Sequence, residues 1–432
     1  MTASLNALVP PGSEAGPGLL RLRAVAWRYF QSTAGLVAHS AAHFIAALIF
    51  LRSLPAADFG LFSFVLVVVP FALSISTALI TVPVATRLRQ PGGLSQAERD
   101  TCFKLNLLLG AAATLTTFIA LWIAGAPGGA ALLFGLYGGA MTLRWFARGY
   151  SYIEGRVVAV LLSDLLYAGL LVGGLCLLLL GHLLTLQSAA TMLVGACLAA
   201  LSVFGKDYFR VQWQALRTGR LALYAVLWRD LTRWSLLGVV FTEIAGNAHA
   251  YLVTFISGPK AFALLALGTL LMRPISLVQS ALPDLERPAM ARAIAARDTA
   301  NMRRIVSEFT GAVGAVWLVT VALSAALLIW FPQIILKNGY DRGEVAAVVI
   351  LFALIMALRT LRTPLAVFLQ AAGEFKALAG IGWLSGSTSV LATLGLLLAF
   401  GPIASLGGIL LGDIVTLAQC AMLVRGWRAA HG

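Results

Sequence analysis

The sequence predicts an all-α polytopic membrane protein, with about 12 transmembrane helices in two parallel, pseudo-symmetric six-helix bundles around a central cavity. Three observations predict it. Apolar spans of roughly 20 residues, the length that carries a helix across a bilayer core, recur along the 432-residue chain. Basic residues crowd every second connection between them, and charges of that sign stay on the cytoplasmic side of short loops. The second half of the chain also echoes the first.

Spans are read near 32–51, 60–86, 102–125, 128–147, 157–181, 187–205, 232–256, 261–282, 306–331, 345–371, 376–400 and 403–424. Arg21, Arg23 and Arg28 precede the first. Arg87, Arg89, Arg99 and Lys104 lie between the second and third, and Arg144, Arg148 and Arg156 after the fourth. Lys206, Arg210, Arg217, Arg220, Arg229 and Arg233 fill the mid-chain linker. Arg287, Arg292, Arg297, Arg303 and Arg304 follow the eighth, then come Lys376, Arg425 and Arg428. Of the 31 Lys and Arg residues, these 24 fall on one face. The opposite face holds Arg52, Lys260, Lys337 and Arg342, while Arg273, Arg359 and Arg362 fall inside spans. Both termini are expected in the cytoplasm.

The same assignment accounts for a formal net charge of +14. In a soluble domain that charge would point to nucleic acid; here it is topogenic and meets anionic lipid headgroups, so no nucleic-acid partner is expected. The chain divides into an N-terminal cytoplasmic segment (1–31), a first six-helix bundle (32–205), a basic linker (206–231) and a second bundle (232–432). The linker and the stretch 283–305 are the longest connections. Tyr208, Trp213 and Trp228 among the linker's Arg residues suit a helix lying on the cytoplasmic leaflet. The first twenty residues, rich in Gly, Pro and Ser, have no signal-peptide pattern. Cys102, Cys176, Cys197 and Cys420 are scattered and suggest neither a disulfide framework nor a metal site.

A shift of 204 residues superimposes the halves: Ser53, Pro55 and Ala57 fall on Ser257, Pro259 and Ala261, and Pro70 falls on Pro274. The first proline pair marks a turn between spans. The second sits inside a span, where a missing N–H kinks the helix. Six spans per half insert both halves in the same direction, which gives parallel repeats facing a central cavity and suits a transporter that opens to each side in turn.

Polar residues inside the spans are the candidate site, because charge in a bilayer core requires a partner or a watery cavity. Arg359 and Arg362, three apart on one helix face, and Arg273, beside Pro274, are permanent cations. Guanidinium groups suit phosphate oxygens, so these three are the candidate substrate-binding residues for an anion. The alternative pairs them with Glu243, Asp164 or Asp413 as structural ion pairs. Glu243 and Asn247 are four apart in the seventh span, and His39 and His43 four apart in the first. The 204 shift superimposes the two pairs, so they are expected to face each other across the cavity and carry a proton or Na+, or else to bind helices together. The H-x-x-x-H spacing has no third ligand, so no metal is expected. No P-loop and no nucleophile elbow is present, and neither catalysis nor a bound cofactor is expected.

The loop Phe50-Leu51-Arg52-Ser53-Leu54-Pro55-Ala56-Ala57-Asp58-Phe59-Gly60 resembles the signature after the first helix of the polysaccharide transporter family. It lacks that family's Gly before Pro55; the equivalent Ser257-Gly258-Pro259 keeps it. Ile153-Glu154-Gly155-Arg156, Ala372-Gly373-Glu374-Phe375-Lys376, and Phe331-Pro332 through Gly339-Tyr340 are similar to that family's turns, so the resemblance covers nearly the whole chain. It implies the architecture of the multidrug/oligosaccharidyl-lipid/polysaccharide (MOP) flippase superfamily, which includes the drug exporters of its MATE branch. It further implies a Wzx-type flippase of the bacterial inner membrane. Such a flippase moves undecaprenyl-diphosphate-linked oligosaccharide to the outer leaflet, beside polysaccharide polymerase and glycosyltransferase machinery. The twelve spans fit that branch, whereas the superfamily's lipid II flippases carry fourteen. The alternatives are a MATE-type cation-coupled drug exporter, which Glu243 would suit, and a non-transporting membrane scaffold of a glycan polymerase complex.

Overall fold

A computed structural model describes residues 17–87, 94–335 and 340–431. Arg89, Lys337 and Gly339 lie outside the described residues. The first half contains α1 (Pro17–Ser53), α2 (Ala56–Ser76), a π-helical turn (Thr77–Thr81), α3 (Val82–Arg87), α4 (Gln96–Ile123), α5 (Gly128–Ile153), α6 (Val157–Leu180) and α7 (Leu186–Ser202). The linker forms α8 (Gly205–Thr218), a 3-10 turn, α9 (Tyr224–Leu227) and a π-helical turn (Trp228–Thr232). The second half contains α10 (Arg233–Ser257), α11 (Pro259–Leu271), α12 (Arg273–Ala295), α13 (Thr299–Trp330), α14 (Pro332–Ile335), α15 (Arg342–Ala371), α16 (Phe375–Phe400) and α17 (Leu406–His431).

Among the described residues, nine helices are long and apolar enough to cross a bilayer, and up to eleven spans result if two bent pairs are included. α5 is 26 residues long and outside that set. Its embedded Arg residues lower its apolar character, and it packs against α4, α7 and α2. At several helix starts a side chain satisfies a free backbone N–H. Ser95 and Glu98 form a capping box at α4, Thr185 and Ser188 do so at α7, and Asp341 caps α15 through the Glu344 N–H.

Several boundaries differ from the sequence reading. α1 starts at Pro17, well before the expected first span, and α12 and α13 turn most of the expected 283–305 connection into helix. The repeated inner prolines behave differently. Pro70 lies within an unbroken α2, whereas the chain breaks at Met272, before Arg273-Pro274, and bends by 59° between α11 and α12. Proline removes a backbone donor and disfavours helical geometry in the residue before it, which permits either outcome and leaves the packing to select.

α1 packs on α6, α4 on α5, and α7 on both α5 and α6. In the second half, α17 packs on α15 and α16, and α12 on α13 and α15. The halves meet chiefly along α2 against α10 and α11. There a Cβ on Gly60 would collide with the Pro259 carbonyl, and the Phe64 ring packs against Tyr251, Phe255 and Phe262 at 5.4–6.2 Å. The start of α2 thus lies against the Pro259 turn, which the 204 shift superimposes on the turn at Pro55. Gly258 makes the second turn possible by adopting φ +87°, which side chains rarely tolerate.

α8 leaves α7 at 98°. Tyr208, Gln212 and Ala215 bury one face of it, while Phe209, Trp213 and Leu216 form an exposed apolar strip beside Arg210 and Arg217. Its end is tied to α4: Thr218 donates to Asp100 (2.6 Å) and Lys104 to the Gly219 carbonyl (3.0 Å).

Candidate functional site

The best-formed candidate site lies in the second half. Arg359 and Arg362 project from α15 onto Asp413 of α17, one guanidinium to each carboxylate oxygen: Arg359 Nε to Oδ2 at 2.9 Å and Arg362 Nη1 to Oδ1 at 3.2 Å. Spacing of three on a helix places both Arg side chains on one face, which lets a single acid span them. The three side chains are 21%, 28% and 5% exposed respectively, so the guanidiniums remain partly open. What they open onto is a cavity of about 400 Å³. Arg287 and Gln279 of α12, Gly246 of α10, Ser385 of α16 and Thr416 of α17 line it with them. Gln279 is held in place by donating to Thr360 Oγ1 at 3.1 Å. Among the described lining residues, Asp413 is the single acid against three arginines.

Two corrections follow. Among the described residues, the cavity that Arg359 and Arg362 face is lined by the second half, not by the seam between halves. The two readings of these arginines also coincide, since they line a cavity and are ion-paired there. Asp413 is the partner, and neither Glu243 nor Asp164 pairs with them.

Arg273 is not brought to this cavity. It begins α12 just past the break at Met272, and its side chain makes no hydrogen bond or ion pair among the described residues.

No hydrogen bond or ion pair joins the two expected coupling pairs among the described residues. Asn247 donates to Glu243 at 2.7 Å along α10, and neither lines the cavity. His43 is buried in the first half with its Nε2 at 3.0 Å from the Tyr167 hydroxyl and 3.4 Å from that of Tyr137. The two tyrosines are hydrogen-bonded to each other at 3.1 Å. His39 packs edge-on to His43, with ring centroids 4.7 Å apart, and against Tyr167 at 4.9 Å.

The sequence reading missed a second Arg–Asp cluster. Arg144 and Arg148, counted there as cytoplasmic loop charges, lie inside α5, which continues to Ile153. Both grip Asp164 of α6, Arg144 at 2.5 Å and Arg148 at 2.9 Å, with the three side chains 0%, 11% and 2% exposed. Arg144 also donates to Ser163 at 3.1 Å and lies over the Tyr167 ring at 4.8 Å; Arg148 lies over Trp145 at 4.8 Å and Tyr152 at 5.3 Å. Spacing of four, with an acid in the next span, was the available signal. It was hidden because a basic pair near a span end reads as a loop.

No protein-family model and no curated protein sequence matches the chain. Solved structures do match. An inward-facing multidrug resistance MATE family transporter of the MOP superfamily superimposes with a TM-score of 0.69 at 14% identity, covering 91% of this chain and 95% of that one. The lipid II flippase MurJ, in an inward closed conformation, gives 0.64 at 11% identity, covering 91% and 87%. A MOP superfamily transporter from Pyrococcus furiosus, described as having a binding pocket of reverse polarity that suggests a different function, gives 0.57 at 13% identity, covering 93% and 95%. The chain therefore has the MATE-like fold of MOP superfamily transporters.

Proposed function

We propose that the protein is a flippase of the bacterial inner membrane that translocates undecaprenyl-diphosphate-linked oligosaccharide by alternating access, for polysaccharide biosynthesis. A membrane transporter or flippase is the function this fold supports. The anionic substrate rests on one observation: two guanidiniums, those of Arg359 and Arg362, share the single carboxylate of Asp413 and stay partly open to the second-half cavity. Bidentate donors of this type suit a diphosphate, and they would repel the organic cations of a drug exporter. The termini are proposed to be cytoplasmic on the distribution of basic residues.

Arg359 and Arg362 engage the diphosphate in this reading, and Arg273 acts at a separate point on the path. Glu243 with Asn247, and His39 with His43, serve as two distinct polar stations for a proton or Na+. Polymerase and glycosyltransferase enzymes are the expected neighbours in the membrane. A deletion strain provides the test. Loss of surface glycan, with lipid-linked oligosaccharide trapped on the cytoplasmic leaflet, is the expected result; unchanged glycan and leaflet distribution would overturn it. The variant carrying Arg359→Gln and Arg362→Gln is expected to insert normally and fail to restore export.

A further inference from the structure

The two Arg–Asp–Arg clusters share their chemistry and differ in access. Around Asp164 the arginines are closed in by hydrogen bonds and aromatic faces, so that cluster is structural. Around Asp413 each guanidinium gives one N–H edge to the carboxylate and lines the cavity with the rest. A carboxylate bridging two guanidiniums has the charge, the spacing of acceptor oxygens and the planar donor geometry that a phosphate group would use there. Asp413 thus already stands where a phosphate oxygen pair would bind.

We propose that Asp413 is an internal counter-ion that a phosphate-type anion displaces from Arg359 and Arg362. The idea rests on reading this cavity as the site of the substrate's phosphate groups. At about 400 Å³ the cavity lies at the small end of ligand pockets. It accepts a diphosphate with hydrating water and excludes an oligosaccharide, so the glycan stays outside it. Competition with Asp413 sets the affinity: a tethered carboxylate weakens anion binding and so speeds release, which a transporter needs as much as capture. Because Asp413 belongs to α17 and the arginines to α15, displacement also dissolves the ion pairs that join these two helices. Loading of the anion is thereby coupled to their relative freedom.

The test uses the purified full-length chain in lipid nanodiscs and inorganic pyrophosphate as the probe, read by titration calorimetry. Asp413→Asn is expected to bind pyrophosphate on the order of tenfold more tightly than wild type, the effect of removing a competing charge. The Arg359→Gln, Arg362→Gln double variant is expected to lose binding. Wild-type binding that depends on the Arg pair, with no gain in Asp413→Asn, overturns the counter-ion role and leaves the phosphate site standing. If pyrophosphate binds no form, the phosphate site itself fails and the counter-ion role fails with it. Should Asp413→Asn not remain monodisperse, Asp413→Ser with added formate replaces it. Formate and pyrophosphate are then expected to compete, and independent binding of the two would refute displacement.

Discussion

At the scale of single residues, exposure separates two clusters that composition cannot. Asp164 holds two arginines in a closed pocket, one of them with a fully buried side chain. Asp164→Asn leaves those charges without a counter-ion, and breaking a buried pair in this way costs about 3–5 kcal/mol. A large drop in thermal stability in detergent is expected, against a much smaller drop for Asp413→Asn, whose arginines can turn to the cavity. Equal losses in the two variants would show that the cavity does not hydrate Arg359 and Arg362. Tyr167→Phe removes the hydroxyl that bonds His43 Nε2 and Tyr137. A loss of about 1 kcal/mol is expected, because the ring and its packing remain; a loss several times larger would mean that the hydroxyl organises the whole buried network. The sequence revealed these polar residues and their helices. It could not reveal the pairing of Asp413, since every acid in a span was an equal candidate until the helices were packed.

At the scale of elements, the helices themselves were legible because apolar length and charge punctuation are local. Breaks and bends were not. The same proline, repeated at position 70 and position 274, sits in a continuous helix once and beside a 59° bend once. The linker's basic and aromatic residues suggested an interfacial helix, and α8 has the geometry for one: a buried face on α4, an exposed apolar strip and flanking Arg residues. With the other tryptophans replaced, Trp213 fluorescence is expected to be quenched by lipids brominated near the glycerol and hardly at all by those brominated near the chain end. Equal quenching at both depths would place α8 deeper than the interface. At the seam, Gly60 leaves no room for even a methyl group against the Pro259 carbonyl. Gly60→Ala is expected to part α2 from α11, lowering both stability and export; wild-type behaviour would mean that the seam has slack.

At the scale of the whole molecule, topology is the property most directly tested. A reporter fused after Ala126, in the turn between α4 and α5, is expected to be external, and one fused after Gly219, at the end of α8, cytoplasmic. The reverse pattern would invert the orientation derived from basic residues. The sequence by itself determined the fold class and its membrane-length apolar helices, and it predicts their orientation by charge and the doubling of the chain. Each of these follows from periodicities along the chain that a lipid environment enforces residue by residue. Only the tertiary structure decided where the buried charges meet. It placed Arg359 and Arg362 at a cavity inside the second half, left Arg273 outside that cavity, set His43 against Tyr137 and Tyr167, and withdrew Arg144 and Arg148 from the loops into α5. The physical reason is that ion pairing in a low-dielectric interior depends on distances between helices remote in sequence. Those distances are set by how the helices pack, not by the spacing of residues along any one of them.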